Sequence, residues 1–126
     1  MSEPTQTLYI PKLYEWMNAN QMRKWHWSKR SKLNRLWRHD AHRIARSEQL
    51  RPLQRAHILI EVHKTTNARY DPGNLHPTAK AIVDGLIDYG LLPDDDALHL
   101  DGPDIRPGEK ECRPGFTITI TPLEAT

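Results

Sequence analysis

Cysteine is nearly missing from this chain. Of 126 residues one is cysteine, Cys112. No disulfide can form within the chain, and no thiolate cluster of the zinc-binding kind can be assembled from it. Long hydrophobic runs are also missing; no apolar stretch approaches the length a membrane-spanning helix needs. The opening residues MSEPTQTLYI lack the basic-then-apolar order of a secretory leader. Internal repeats and low-complexity segments are not seen. Around Asp94–Asp104 the glycine and closing glutamate of an EF-hand calcium loop are missing. These absences set an expectation of a soluble, cytoplasmic protein with no membrane partner. The length suits one domain spanning residues 1–126, with a small core.

Charge is present in abundance and unevenly placed. The net charge is only +2. Residues 1–70 nevertheless hold 14 Lys/Arg against 5 Asp/Glu, whereas residues 71–126 hold 4 against 11. A basic half suggests a polyanionic partner. The acids then need a task of their own, unless the two halves simply neutralise each other in the fold.

The pattern of apolar residues predicts the elements. Thr7–Pro11 reads as a strand with Leu8 and Ile10 on one face. A helix starts at Ser28, with Leu33, Leu36, Trp37, Ala41, Ile44 and Ala45 forming one stripe. Lys32, Arg35, His39, Arg43 and Arg46 fall on its other side. His57–His63 is a strand. Pro77 suits the first turn of a second helix, about Thr78–Tyr89, and Gly90 its C-terminal cap. Leu98–Leu100 reads as a short strand and Phe116–Thr121 as the last one. Interspersed strands and helices, with at least one hairpin-like pair, predict an α+β fold. It has a small mixed sheet on which two main helices pack.

The acids concentrate at Asp71 and in the run Asp94, Asp95 and Asp96. A hard divalent cation takes oxygen ligands, commonly a few carboxylates plus water or substrate phosphate. The loops carrying these acids are expected to open on one edge of the sheet. Lys80 and Asp84 share a helix face at four-residue spacing, and Asp88 is expected to continue it. An ammonium there would hold a phosphate or steady a leaving oxygen. Carboxylates, one lysine and a basic surround are the parts of metal-assisted phosphodiester cleavage. The plain alternative is a surface ion pair at Lys80–Asp84 and ordinary turn chemistry at Asp71-Pro72-Gly73.

Arg23, Lys24, Lys29 and Arg30 are candidate phosphate contacts, with Arg69 placed to reach the same strand. Trp25, His26 and Trp27 are candidates to stack on exposed bases; the alternative puts Trp27 in the core with Trp37 and makes His26 a hydrogen-bond partner. Trp37 belongs to the core from its place on the stripe.

Three segments taken together resemble the RusA Holliday junction resolvases. They are Asp71-Pro72-Gly73-Asn74-Leu75, Lys80-Ala81-Ile82-Val83-Asp84-Gly85-Leu86 and Leu92-Pro93-Asp94-Asp95-Asp96. The Asn18–Trp27 segment and the final FTITIT strand fit the same pattern, so the resemblance covers about residues 8 to 122.

The resemblance implies a homodimeric, phage- or prophage-type endodeoxyribonuclease that uses Mg²⁺, with Mn²⁺ as a second choice. It would resolve four-way DNA junctions by paired nicks. It makes Asp71 a metal ligand together with an acidic pair, Asp95 and Asp96 in preference to Asp94 and Asp95, with Lys80 the catalytic lysine and Asn74 a DNA contact. Gly73 stands where the family has a second aspartate. Asp84 or Asp94 is the candidate replacement. Two other functions fit the same residues: a branched-DNA-binding protein that does not cut, and a nuclease for flaps or forks.

Overall fold

The computed structural model describes residues 3–66, 70–111 and 113–124. Among these residues four strands form one mixed sheet: β1 (Gln6–Pro11), β2 (Ala56–His63), β3 (Leu100–Pro107) and β4 (Gly115–Pro122). Their order is β1-β4-β2-β3. β4 runs antiparallel to both β1 and β2, and β2 runs parallel to β3. Three α-helices accompany the sheet: α1 (Ala19–Met22), α2 (Trp27–Ser47) and α3 (His76–Tyr89), with a 3-10 turn at Pro72–Leu75. The α+β expectation is met. The hairpin expectation is not, because among the described residues no two strands adjacent in sequence pair antiparallel. β2 and β3 are parallel, which requires a crossover, and α3 supplies it. Among the described residues no helix is long and apolar enough to cross a membrane.

Alternation decides which sheet face is buried. Leu8 and Ile10 of β1, Ile58, Ile60 and Val62 of β2, and Phe116, Ile118 and Ile120 of β4 are all buried. These are every second residue, the period of a strand. Trp37 of α2 is fully buried and meets Phe116 edge-on, 5.6 Å between ring centres. Its indole N–H donates to the Glu15 carbonyl at 2.9 Å, so the polar end of the ring is satisfied inside the core.

α2 begins one residue earlier than its stripe suggests. His26 caps it, with Nδ1 3.2 Å from the Ser28 N–H. The five basic positions assigned to its outer face are exposed. Asp40 is the surprise on the inner face, only 2 % exposed. Arg43 donates to its Oδ1 at 2.6 Å and 3.2 Å, so the buried charge has a partner.

α2 and α3 cross at close range. A Cβ built on Gly85 would collide with the Arg38 carbonyl oxygen and lie 2.8 Å from the Ala41 methyl. Arg38 also grips Asp88 from α2, with contacts of 2.5 Å and 2.8 Å. α3 ends at Gly90 in the left-handed region, φ 103°, as expected. Its N–H returns to Ile87 at 2.9 Å and the Leu91 N–H to Leu86 at 3.1 Å, which closes the last turn. The strand expected at Leu98–Leu100 starts instead at Leu100 and runs on to Pro107.

Candidate active site

Lys80 lies in the second turn of α3. Asp84 is one turn further along, so the two side chains meet as the spacing requires. Lys80 Nζ is 2.5 Å from Asp84 Oδ1. The chain leaves α3 at Gly90, turns through Leu91–Asp94, and comes back along the helix. That return places Asp95 Oδ2 3.0 Å from the same ammonium. One lysine is therefore shared by two carboxylates from different segments.

The charges respond to each other. The Asp84 hydrogen bond, joined by that to Asp95, holds Lys80 above the ordinary lysine value against the opposing effect of burial. Lys80 in turn holds Asp95 below the ordinary aspartate value, helped by Asp94. Half of the Lys80 side chain remains exposed, so the cluster faces solvent.

The remaining acids are spent on backbone. Asp94 Oδ1 accepts the Asp95 N–H at 2.7 Å. Asp96 Oδ1 accepts the Leu98 N–H at 3.1 Å, and its carbonyl accepts the N–H groups of His99 and Leu100. Those bonds shape the turn that aims Asp95 at Lys80. Asp71 caps the 3-10 turn by accepting the Gly73 N–H at 2.9 Å. It sits one 3-10 turn and one α-turn ahead of Lys80.

The two acidic loops leave opposite ends of the β2–β3 pair. Val62 pairs with Pro107 at one end, and Ala56 with Leu100 at the other. The shared edge expected for them is therefore replaced by a return of the chain along α3. Asp88 does not continue the Lys80–Asp84 face; it turns to Arg38. Each four-residue step overshoots a full turn by about 40°, and two steps carry Asp88 round to α2.

Among the described residues, no three His, Cys, Asp or Glu side chains are gathered closely enough to hold a metal ion. Mg²⁺ does not need a complete protein cage: one or two carboxylates plus water and substrate phosphate are its usual set. Asp84 and Asp95 supply two hard oxygen donors, and a cationic group already stands between them. Both carboxylates are paired with that ammonium, so a metal ion held by them would displace it.

Arg23, Lys24, Lys29, Arg30 and Lys32 are all exposed on or just before α2. Lys29 pairs with Glu15 at 3.1 Å and lies 4.1 Å over the Trp25 ring. Arg30 and Lys80 line a common cavity of about 560 Å³, which joins the basic segment to the acidic cluster. Asn74 lies in the 3-10 turn, half-buried. Arg69 lies outside the described residues.

One pair outside this cluster has no signal in the sequence. His57 Nε2 is 2.6 Å from Asp104 Oδ2, and the imidazole holds that carboxyl below its ordinary value. Only the parallel pairing of β2 with β3 reveals it.

No protein-family model matches the chain, and no curated protein matches it.

Proposed function

We propose that this protein is a Mg²⁺-dependent, structure-specific endodeoxyribonuclease of the RusA type that resolves four-way DNA junctions by paired symmetric nicks. The observation that carries the reading is Lys80. It is held by Asp84 and Asp95 and lines the same cavity as Arg30 of the basic helix. A group that stabilises negative charge thus stands between carboxylates and a surface suited to the DNA backbone.

On this reading Arg23, Lys24, Lys29, Arg30, Arg69 and Asn74 bind the phosphate backbone without reading sequence. Lys80 leaves its carboxylates for the scissile phosphate and stabilises the charge that develops there. Asp71, Asp95 and Asp96, the ligands the resemblance assigns, would hold Mg²⁺, with Asp84, which shares Lys80 with Asp95, as a further oxygen donor. When bound, the metal supplies activation of water and neutralisation of phosphate charge. Two symmetric nicks need two sites, so the active form is a twofold homodimer. The place of action is the cytoplasm.

The test is incubation with a labelled four-way junction and a matched linear duplex, with Mg²⁺, Mn²⁺ or chelator. Paired nicks in the junction alone, and only with metal, are the expected result. Cleavage of flaps or forks in preference to junctions would keep the chemistry and change the substrate.

A second reading is favoured by Asp71 and Asp96, whose side chains serve turns, and by Gly73 in place of a carboxylate. It is a protein that binds branched DNA without cutting it. Tight junction binding, indifferent to metal and without nicks, would select it.

A further inference from the structure

The cavity that Arg30 and Lys80 share has an unusual lining for a surface of this charge. Its walls include Met17, Met22, Pro77 and Trp27. Its volume, about 560 Å³, falls in the range of small-molecule sites. It opens between α1, the first turns of α2 and the first turns of α3.

Trp27 is 67 % exposed. A tryptophan this exposed at the start of a helix stabilises little, since its large apolar area stays in water. The neighbouring His26 ring tilts against it, 5.5 Å between centres. The polar members of the lining are Arg30, Ser31, Asn34, His76 and Lys80; among the described lining residues there is no carboxylate, and two carboxylates, Asp84 and Asp95, lie on the Lys80 ammonium. Apolar walls, an exposed aromatic ring, an amide and two cations together complement one class of occupant: a flat, hydrogen-bonding ring attached to an anion.

We propose that this cavity receives a single unpaired nucleobase of the DNA, stacked on Trp27, with its attached phosphate directed to Arg30 and Lys80. The inference rests on the nuclease reading above and extends it. The substrate class becomes DNA with an unstacked nucleotide next to the cleavage point, as at a junction centre or a bulge. Extrusion is cheapest where the base is already unpaired. Selection would then come from the cost of unstacking, with no base sequence being read. Occupying the cavity also brings a phosphate to the ammonium that Asp84 and Asp95 hold, so recognition and positioning share Lys80.

The test uses the full chain in chelator, so that no cleavage intervenes. Binding is measured by fluorescence anisotropy on a duplex with one bulged thymidine and on the continuous duplex of the same sequence. Wild type is expected to prefer the bulged duplex by about tenfold, within the range stacking on one aromatic ring supplies. Trp27→Ala is expected to abolish that preference while changing affinity for continuous duplex less than about twofold. Trp27→Phe, which keeps a ring, should retain most of it. Ser31→Phe, which fills the cavity from α2 and leaves Trp27 in place, should abolish it again.

Equal weakening on both duplexes, or no change on either, overturns the cavity site. If wild type binds both duplexes equally and with ordinary salt dependence, the cavity proposal falls and the nuclease reading stands. If wild type binds neither duplex nor a four-way junction, both fall together. Quenching of the Trp27 emission, taken as wild type minus Trp27→Phe, on concentrating the protein without DNA would assign the cavity to a second copy and overturn the proposal.

Discussion

At Lys80 one ammonium answers two carboxylates, and the balance has consequences with a definite sign. Lys80 is raised by Asp84, so its contribution to stability is fully present below the ordinary lysine value of 10.5 and fades as pH rises through its raised value. Asp95 is lowered by Lys80, so its contribution is present above the ordinary 3.8 and fades as pH falls through its lowered value. The cluster is intact between those limits, and solvent screening keeps its effect on overall stability small. In Lys80→Met the Asp95 carboxyl should titrate nearer its ordinary value, a shift that carbon-detected NMR follows directly. The same substitution should reduce the junction-cleavage rate about 10²- to 10³-fold, the usual loss on removing one group that stabilises developing charge. DNA affinity should change only a few-fold. That split, measured as single-turnover rate against Kd, separates chemistry from binding.

Gly73 offers a second test among the residues. A Cβ there would lie 3.2 Å from Asp71 Oδ1, so a small adjustment of one flexible carboxylate admits a side chain. Gly73→Asp would set a second carboxylate beside Asp71. Tighter Mg²⁺ binding by calorimetry, together with faster junction cleavage, is the expected outcome. Unchanged metal affinity would show that this turn takes no part in holding the ion.

Among the elements, the pairing of α2 with α3 positions the site. α3 carries Lys80 and Asp84, and its close approach to α2 depends on Gly85. Gly85→Ala would force a methyl into the Arg38 carbonyl, backbone that cannot swing aside. Overpacking of this kind costs about 1–3 kcal/mol, read as a lower urea midpoint at unchanged slope. The Arg38–Asp88 contact ties the same two helices through a forked, two-bond geometry. It also accounts for Asp88, which the periodicity of α3 places with Lys80 until the drift of the helix over two turns is included.

For the molecule as a whole, the separation of charge along the sequence is only partly neutralised by pairing between the halves. The basic residues before and along the start of α2 stay exposed, while acids are divided among the Lys80 cluster, turns, and pairs with Arg38, Arg43 and His57. If this surface binds DNA, affinity falls steeply with salt. Replacing Arg23, Lys24 and Arg30 together by glutamine should reduce the slope of log K against log salt by roughly 3, about 0.9 for each phosphate no longer neutralised. A binding isotherm at four salt concentrations measures it. An unchanged slope would place the polyanion elsewhere or nowhere.

Much of this was determined by the sequence alone. The apolar stripe of α2, the alternation in β1, β2 and β4, and the cap at Gly90 were legible because each rests on local geometry: the period of a helix, the period of a strand, the freedom of one glycine. The Lys80–Asp84 pair was legible for the same reason, four residues being one turn. Tertiary structure alone decided the rest. Parallel pairing of β2 with β3 removed the expected hairpin and brought His57 to Asp104. The return of the chain after Gly90 chose Asp95 over its two neighbours as the partner of Lys80. Trp27 and Trp37 are the same residue type ten positions apart; one is 67 % exposed and the other fully buried. The sheet behind α2 gives Trp37 a Phe116 to pack on, whereas Trp27, at the start of the helix, lines an open cavity. Contacts between residues far apart in the chain depend on where a connection turns, and no local period encodes that.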